Sequence, residues 1–197
     1  MSPTLGLTFS EVMTGGFVLG AIDPLSGEKQ GNIQNSQLTL HCQVTIDDLQ
    51  RFIDDPQHPG LLACTLDFPP FGVGIPCDLG IFNLFRAGST SGERWMVYES
   101  GFTAKGQRYY IAGKKTVQHG HAAEVLQQIT TLYTLLYEGT DTAGKISGAG
   151  TLHLGAKSIV DMAKTLHVTN ARDHLQVLQG LGIYLKLFLG ELWQTYI

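Results

Sequence analysis

The spacing of apolar and polar residues predicts a chain built mostly from β-strands. Between 37 and 46 apolar and polar residues alternate strictly, with apolar positions running from Leu38 to Ile46. Alternation over this length is typical of a strand with one buried face. Runs that are rich in β-branched and aromatic residues and bounded by turn-forming residues predict further strands. These runs are 9–19, 61–68, 81–86, 130–138 and 145–154.

The clearest pair of predicted strands is a hairpin over 95–117. Two β-rich arms flank a short polar connection, 103–107, that contains a glycine, and this is the pattern of a tight turn. Aromatic residues fall on both faces of both arms. Such a sheet is expected to curl around an interior and to be covered outside as well. We therefore predict a mainly β fold, an antiparallel barrel of about eight strands that is able to hold one small ligand.

The remaining segments before residue 156 predict short helices and loops that plug or flank this barrel. A short helix over 49–53 is expected to face inward, and 119–128 is predicted to be helical or irregular. Residues 23–35 are rich in Gly, Pro, Asn and Asp, which predicts a polar turn region. The Pro and Gly residues of 69–76 are expected to break any regular ladder. In general architecture the barrel is similar to calycin and allene-oxide-cyclase barrels, which is an analogy of fold only.

From residue 156 the hydrophobic period becomes that of a helix. A short helix carries Ile159 and Leu166 on one face, and a longer one is predicted over 172–197. The longer helix is apolar nearly all round, so it needs cover on more than one side. We assign 1–171 to the barrel and 172–197 to a C-terminal helix of the same domain, packed on the barrel or on a partner. Its outer side is open to three interpretations: a homodimer mate, a membrane surface or a larger protein partner.

Composition narrows the class of protein. A length of 197 residues fits one domain, and a net charge of −4 without a basic stripe argues against a nucleic-acid partner. The 3 cysteines are widely spaced, which argues against a disulfide framework and for a reducing compartment. The N-terminus lacks the basic start and following apolar run of a signal peptide. No apolar run in the sequence is long enough to span a bilayer. We therefore expect a cytoplasmic protein, with peripheral membrane contact through 172–197 as the alternative.

Several stretches resemble a known protein segment in their order and spacing. They read LTFSEVMTGGF, VTIDDLQRFIDDPQHPG, GQRYYIAGKK, ITTLYTLLYEG, ISGAGTLHL and TLHVTNA, with a tail ending in ELWQTY. Together they resemble the segment between the flavin domain and the α/β-hydrolase-like domain of long bacterial cholesterol-oxidase-like GMC (glucose–methanol–choline) oxidoreductases. The resemblance spans nearly the whole chain. It implies a domain working here alone, associated with lipid or sterol metabolism, and it assigns no catalytic residue.

The chemistry of the neighbouring domains in that group is not carried over. The chain has no Gly-x-Gly-x-x-Gly entering a helix near its N-terminus, so no flavin fold is implied. It has no Gly-x-Ser-x-Gly elbow, so hydrolase chemistry is not implied either. His119 and His121 offer two imidazoles, but a zinc site needs three or four ligands. We therefore predict no cofactor and no metal site.

Glu99 is the candidate catalytic residue of the predicted hairpin. It shares a strand face with Trp95 and Val97. If that face is interior, desolvation raises the pKa of its carboxyl group, as a general acid or base requires. The alternative is a carboxylate that is paired with a nearby Lys or Arg or that lies in water.

Aromatic residues of the predicted strands are the candidate lining of an amphipathic pocket, although aromatics in a sheet are more often core. The candidates for ligand binding are Trp95, Tyr98, Phe102, Tyr109, Tyr110, Tyr133 and Tyr137.

Three functions fit this sequence. The first is non-catalytic binding of an apolar small molecule, a lipid, sterol or isoprenoid, in the barrel cavity. The second is an isomerase-, cyclase- or hydrolase-like enzyme that uses an acid or a His with a Tyr in the same cavity. The third is an interaction module whose C-terminal helix docks a separately encoded oxidoreductase or hydrolase. Whether the protein is an enzyme stays open at this stage.

Overall fold

Eight antiparallel strands close into a barrel in the computed structural model, which describes residues 4–118 and 120–194. The strands are β1 (Gly6–Leu19), β2 (Gln37–Ile46), β3 (Pro59–Phe68), β4 (Gly72–Pro76), β5 (Gly80–Ala87), β6 (Arg94–Ala104), β7 (Gln107–Val117), β8 (Thr131–Glu138), β9 (Ile146–His153) and β10 (His167–Thr169). The barrel order is β1-β2-β3-β5-β6-β7-β8-β9, and pairing of β1 with β9 closes it. β4 and β10 add to the edges of β3 and β1. The predicted fold is confirmed.

The predicted hairpin forms two neighbouring strands of the barrel. β6 and β7 pair without a break from Arg94↔Val117 to Ala104↔Gln107. The turn consists of Lys105 and Gly106, both with positive φ, of 50° and 76°. Two successive residues in this conformation give a turn whose twist matches that of the strands, and Gly adopts it at no steric cost. The hairpin therefore forms as predicted, with a turn shorter than the polar connection suggested.

The helices surround the barrel and cover one of its ends. They are α1 (Pro24–Gln34), α2 (Leu49–Asp54), α3 (Ala122–Thr130), α4 (Ala156–Thr165) and α5 (His174–Gln194). α5 packs through the buried Tyr184 and through Phe188, whose ring centroid lies 5.5 Å from that of Phe85. α5 also exposes several leucines to solvent: Leu175, Leu178, Leu185 and Leu189. The end of the predicted helix, 195–197, lies outside the described residues, as does His119.

The prediction of a turn region over 23–35 is wrong, because most of this segment is helix α1. Asp23 caps the helix by accepting a hydrogen bond from the Ser26 amide at 2.8 Å, and Pro24 occupies the first turn. Gly27 and Gly31 are buried against the backbone of β9 and β1. The helix is therefore held by close backbone contact through glycines rather than by an apolar side-chain face, so its sequence lacks the usual helical period.

The segment 69–76 also differs in part from the prediction. Residues 72–76 form β4, a short strand that pairs with β3, although the sequence was expected to exclude any regular ladder. The register of this pair shifts between Leu66 and Phe68. Proline is tolerated at sheet edges and at irregular positions because fewer backbone donors are needed there. β4 is such an irregular edge strand.

The two ends of the barrel lumen differ. One end is filled by aromatic rings: Phe17 packs on Phe68 with centroids 5.3 Å apart, and Phe71 packs on Tyr109 at 4.8 Å. The other end, near Phe9 and Met96, opens under α3, α4 and α5. Among the described residues that face the lumen, those at this covered end therefore leave room for a ligand. No helix within the described ranges is both long enough and apolar enough to cross a membrane.

Candidate functional site

A cavity of about 270 Å³ lies at the covered end of the barrel. Its walls are almost entirely apolar. The barrel contributes Phe9 and Met96, and three helices cover the cavity in part, leaving the lining residues Leu126 and Leu185 exposed to solvent. The apolar helical side chains that line it are Leu126 and Ile129 of α3, Ile159, Met162 and Ala163 of α4, and Leu185 and Phe188 of α5. An apolar concave site with few polar groups is the usual form of a small-molecule site.

The floor of the cavity carries a buried ion pair. Glu11 points inward from β1 and Lys115 from β7, two strands that are not neighbours in the sheet. Lys115 Nζ lies 3.4 Å from Glu11 Oε2, and the two side chains are only 1% and 2% exposed. Removing two charges from water is costly and is offset only if the pair is well hydrogen-bonded. Both charges therefore need every partner that the site offers.

Tyr98 completes the polar floor. Its hydroxyl accepts a hydrogen bond from Lys115 Nζ at 3.2 Å, and the ammonium also lies 4.8 Å from the tyrosine ring centroid. Burial raises the pKa of Tyr98 well above its ordinary value, and the negative charge of Glu11 raises it further. Burial and then Glu11 also raise the pKa of Tyr184, which lines the same cavity. Both phenols therefore stay protonated at neutral pH.

One oxygen of this cluster lacks a partner. Glu11 Oε1 is buried and has no hydrogen-bond partner within the described part of the chain. A buried carboxylate oxygen without a donor carries an unfavourable desolvation free energy. Glu11 also lines the cavity, so the unpaired oxygen belongs to a side chain at the cavity wall.

Of the sequence-predicted binding residues, Tyr98 lines the cavity. Phe102 and Tyr109 also face the lumen, but they stack on each other at the filled end, with centroids 5.6 Å apart. They belong to the aromatic rings that fill this end of the lumen, here called the aromatic plug, and not to the cavity lining. The structure thus separates these residues by their height along the barrel, which strand periodicity does not specify.

The other predicted site residues lie on the outer face of the barrel. Glu99 accepts a hydrogen bond from the Tyr110 hydroxyl at 2.9 Å and is not part of the cavity lining. Trp95 lies between cations, with Lys114 Nζ 4.0 Å from its ring centroid. Tyr133 is exposed and Tyr137 is half-buried on the same outer face. Glu99 is therefore not placed to act on a molecule in the cavity, because Tyr98 takes the inward position next to it.

Sequence reasoning missed Glu11 and Lys115, although both left a signal. Glu11 interrupts the apolar inward face of β1 between Phe9 and Met13. Lys115 does the same on β7, where it stands beside Val117. A single charge within an alternating apolar series indicates a buried charge, and such a charge needs a partner from another strand.

No protein-family model, curated protein or solved structure matches the chain. The resemblance to the middle segment of GMC oxidoreductases therefore stays a prediction. The feature of the molecule that bears on function is the geometry of the cavity. Within 4–118 and 120–194 no group of three or more potential metal ligands comes together.

Proposed function

We propose that this protein binds a small, mostly apolar molecule in the cavity at the covered end of the barrel. The observation that supports this proposal is the apolar cavity itself, which lies between the barrel and helices α3, α4 and α5. At about 30 Å³ per water-sized group, a volume of about 270 Å³ accommodates on the order of ten non-hydrogen atoms. A short isoprenoid or a medium-chain lipid has this size, whereas the fused rings of a sterol need more room.

Apolar burial provides much of the expected affinity. Ten buried methylene groups contribute about 8 kcal/mol of transfer free energy at about 0.8 kcal/mol each. Part of this free energy offsets the entropy that is lost on association. Apolar contact alone therefore supports binding weaker than about 1 μM, and tighter or selective binding requires the polar floor.

Binding is tested by filling the cavity from α4. Ala163 and Val160 are both exposed residues one turn apart on α4, but Ala163 lines the cavity and Val160 lies outside it. We expect Ala163→Phe to weaken the binding of decanol or geraniol at least tenfold in calorimetric titration, because the added ring occupies the ligand volume. The control Val160→Phe, with the same residue introduced, is expected to bind as the wild type does.

Two results would count against this proposal. One is the absence of saturable binding of any medium-chain or isoprenoid probe to the wild-type protein. The other is equal affinity in the Ala163→Phe and Val160→Phe variants, which would place the ligand elsewhere. Mass spectrometry of material extracted from the native protein adds an independent readout, since a stoichiometric apolar molecule is expected to co-purify.

A second candidate function is proton-transfer catalysis, which the polar floor favours. Glu11 is a carboxylate beside an apolar cavity, and Lys115 and Tyr98 are neighbouring hydrogen-bond groups. In an isomerisation, Glu11 would remove a proton from the carbon next to a carbonyl group and return it to another carbon. Lys115 would donate a hydrogen bond to the enolate oxygen in between. Such a reaction balances without any external reagent.

Exchange with heavy water tests this second candidate. A medium-chain ketone or enone incubated with the protein in D₂O is expected to gain deuterium next to the carbonyl, as followed by NMR. We expect Glu11→Gln to lower the exchange rate at least a hundredfold, while the outer-face variant Glu99→Gln leaves it unchanged. Exchange no faster than in buffer would exclude this activity for the ketone used.

A further inference from the structure

We infer that the cavity selects a neutral alcohol, an apolar molecule with one hydroxyl group that lies against Glu11 and Lys115. This inference rests on the proposed binding function and specifies the chemistry of its ligand. The part of the site that carries it is the unpaired Glu11 Oε1. The rest of the cavity is apolar apart from Tyr184 and Thr130, so it accepts hydrocarbon of suitable size and determines little beyond size.

Glu11 requires a hydrogen-bond donor from the ligand. An ionised carboxylate only accepts hydrogen bonds, and its two oxygens together accept several. Lys115 approaches Oε2, whereas Oε1 is buried without a donor among the described residues. A ligand that lacks a donor leaves Oε1 without a hydrogen bond. A ligand hydroxyl satisfies it.

Lys115 requires an acceptor at the same place. Its ammonium group has three N–H donors, and the acceptors that it reaches among the described side chains are Glu11 Oε2 and the Tyr98 hydroxyl. The oxygen of a ligand hydroxyl accepts from the remaining N–H while its proton goes to Glu11. One hydroxyl group therefore complements both members of the ion pair.

Other ligand classes fit this floor less well. An ether accepts from Lys115 but leaves Glu11 Oε1 unpaired. A fatty-acid carboxylate places a second negative charge beside Glu11, and an alkylammonium places a second positive charge beside Lys115. Both charged ligands also lose their hydration in a cavity whose own ion pair is already neutral as a whole. The neutral alcohol avoids both costs.

The test compares probes of matched size on the wild-type protein by isothermal titration calorimetry. Decanol and nonyl methyl ether are isomers, so they differ in the donor and hardly in volume or apolar area. Decanoate and decylamine add the two charges. We expect decanol to bind at least tenfold more tightly than each of the other three probes.

A paired variant shows whether the preference comes from the ion pair. Glu11→Met combined with Lys115→Met replaces both charges by apolar side chains of similar length, and such replacements generally preserve folding. In this variant decanol and its ether isomer are expected to bind within about twofold of each other. The control Glu99→Gln, on the outer face, is expected to keep the full tenfold preference.

The outcomes separate this inference from the proposed function. If the ether or decanoate binds as tightly as decanol to the wild-type protein, selection of an alcohol is overturned while binding of apolar molecules stands. If the double variant keeps the tenfold preference, the ion pair is not its source and the inference is overturned as well. If none of the probes binds, both the inference and the proposed function fail.

Discussion

Glu11 and Lys115 show how one residue on a strand determines the chemistry of the lumen. Each stands where the alternation of its strand places an apolar side chain, and each is almost completely buried. The contribution of such a pair to stability is usually small or unfavourable when it is compared with an apolar pair of similar shape. Its position at the floor of a cavity therefore fits the proposed binding function better than a role in stability.

Removing one member of the pair is expected to be more harmful than removing both. Lys115→Met leaves the Glu11 carboxylate buried without a counter-charge, and we expect a loss of about 3–5 kcal/mol in unfolding free energy. The double variant Glu11→Met with Lys115→Met is expected to lie within about 1 kcal/mol of the wild type. Urea denaturation of both variants checks this. A loss of unfolding free energy below about 1 kcal/mol in Lys115→Met would contradict the conclusion that Lys115 and Glu11 form a buried ion pair.

The surroundings of Glu93 predict that the stability of the fold depends on pH in the acidic range. It is buried and accepts hydrogen bonds from the Ser89 amide at 2.8 Å, the Ser89 hydroxyl at 3.0 Å and the Thr90 amide at 3.3 Å. Burial acts to raise the pKa of Glu93, but polar contacts with Trp95, Ser89 and Thr90 outweigh it and lower the pKa from 4.5 to about 2. The lowered pKa means that this carboxylate stabilises the fold when ionised.

The corresponding variant is Glu93→Gln. It is expected to lose about 1–2 kcal/mol of unfolding free energy at neutral pH. Because the folded pKa is depressed, the contribution of the carboxylate is fully present above about 4.5 and is lost as the pH falls towards about 2. The difference between wild type and variant should shrink over this range in denaturation curves. A difference that is constant from pH 7 to pH 2 would show that the charge of Glu93 does not matter.

For individual residues, the sequence predicts which strand carries a site residue better than it predicts whether the side chain points into or out of the barrel. The hairpin was correctly identified, and Tyr98 does line the cavity. Its neighbour Glu99 points outward, because successive strand residues alternate and an error of one position reverses the face. Aromatic residues lie on both faces of β6 and β7, and the outer face is itself partly apolar. The sequence pattern therefore does not show which face points into the barrel. Trp95 in particular is held on the outside by Lys114.

Among the elements, the strands follow from sequence more directly than the helices do. The alternation over 37–46 predicted β2 with the bounds that the structure shows. Helix α1 was missed because it presents glycines, rather than an apolar side-chain face, to the barrel. Its Gly27 lies against the Ala149 carbonyl oxygen and the Gly150 amide. Contacts of this kind depend on the position of a second element, which local sequence does not encode.

Gly27 therefore provides a test of how α1 is held. A Cβ at this position would overlap the backbone of β9, so we expect Gly27→Ala to destabilise the protein by about 2–3 kcal/mol despite the better helix propensity of Ala. The matched control is Gly182→Ala in α5, where an added Cβ meets nothing within 4 Å. It is expected to stabilise by up to about 1 kcal/mol. Thermal unfolding of both variants checks the two opposite signs.

For the whole molecule, closure of the sheet was predictable but the position of the cavity was not. Apolar faces on many strands indicate a barrel, yet they do not say which part of the lumen is filled. The aromatic plug around Phe68 and the roof formed by α3, α4 and α5 arise from contacts between segments far apart in sequence. A cavity is the space that such packing leaves empty, so no local pattern specifies it.

The roof is expected to determine the length of the bound molecule. Phe188 of α5 lines the cavity and contacts Phe85 and Tyr184, with ring centroids 5.5 and 6.2 Å away. Phe188→Ala removes this ring, so the alcohol that binds most tightly should become longer by a few methylene groups, at a cost of about 1–3 kcal/mol in stability. The control Leu189→Ala truncates the next, exposed side chain and should leave the preferred length unchanged. Calorimetric titration with alcohols of increasing length measures this optimum. An optimum that is the same in both variants would mean that α5 does not bound the ligand, whereas a shift confined to Phe188→Ala would place the end of the apolar chain beneath this helix.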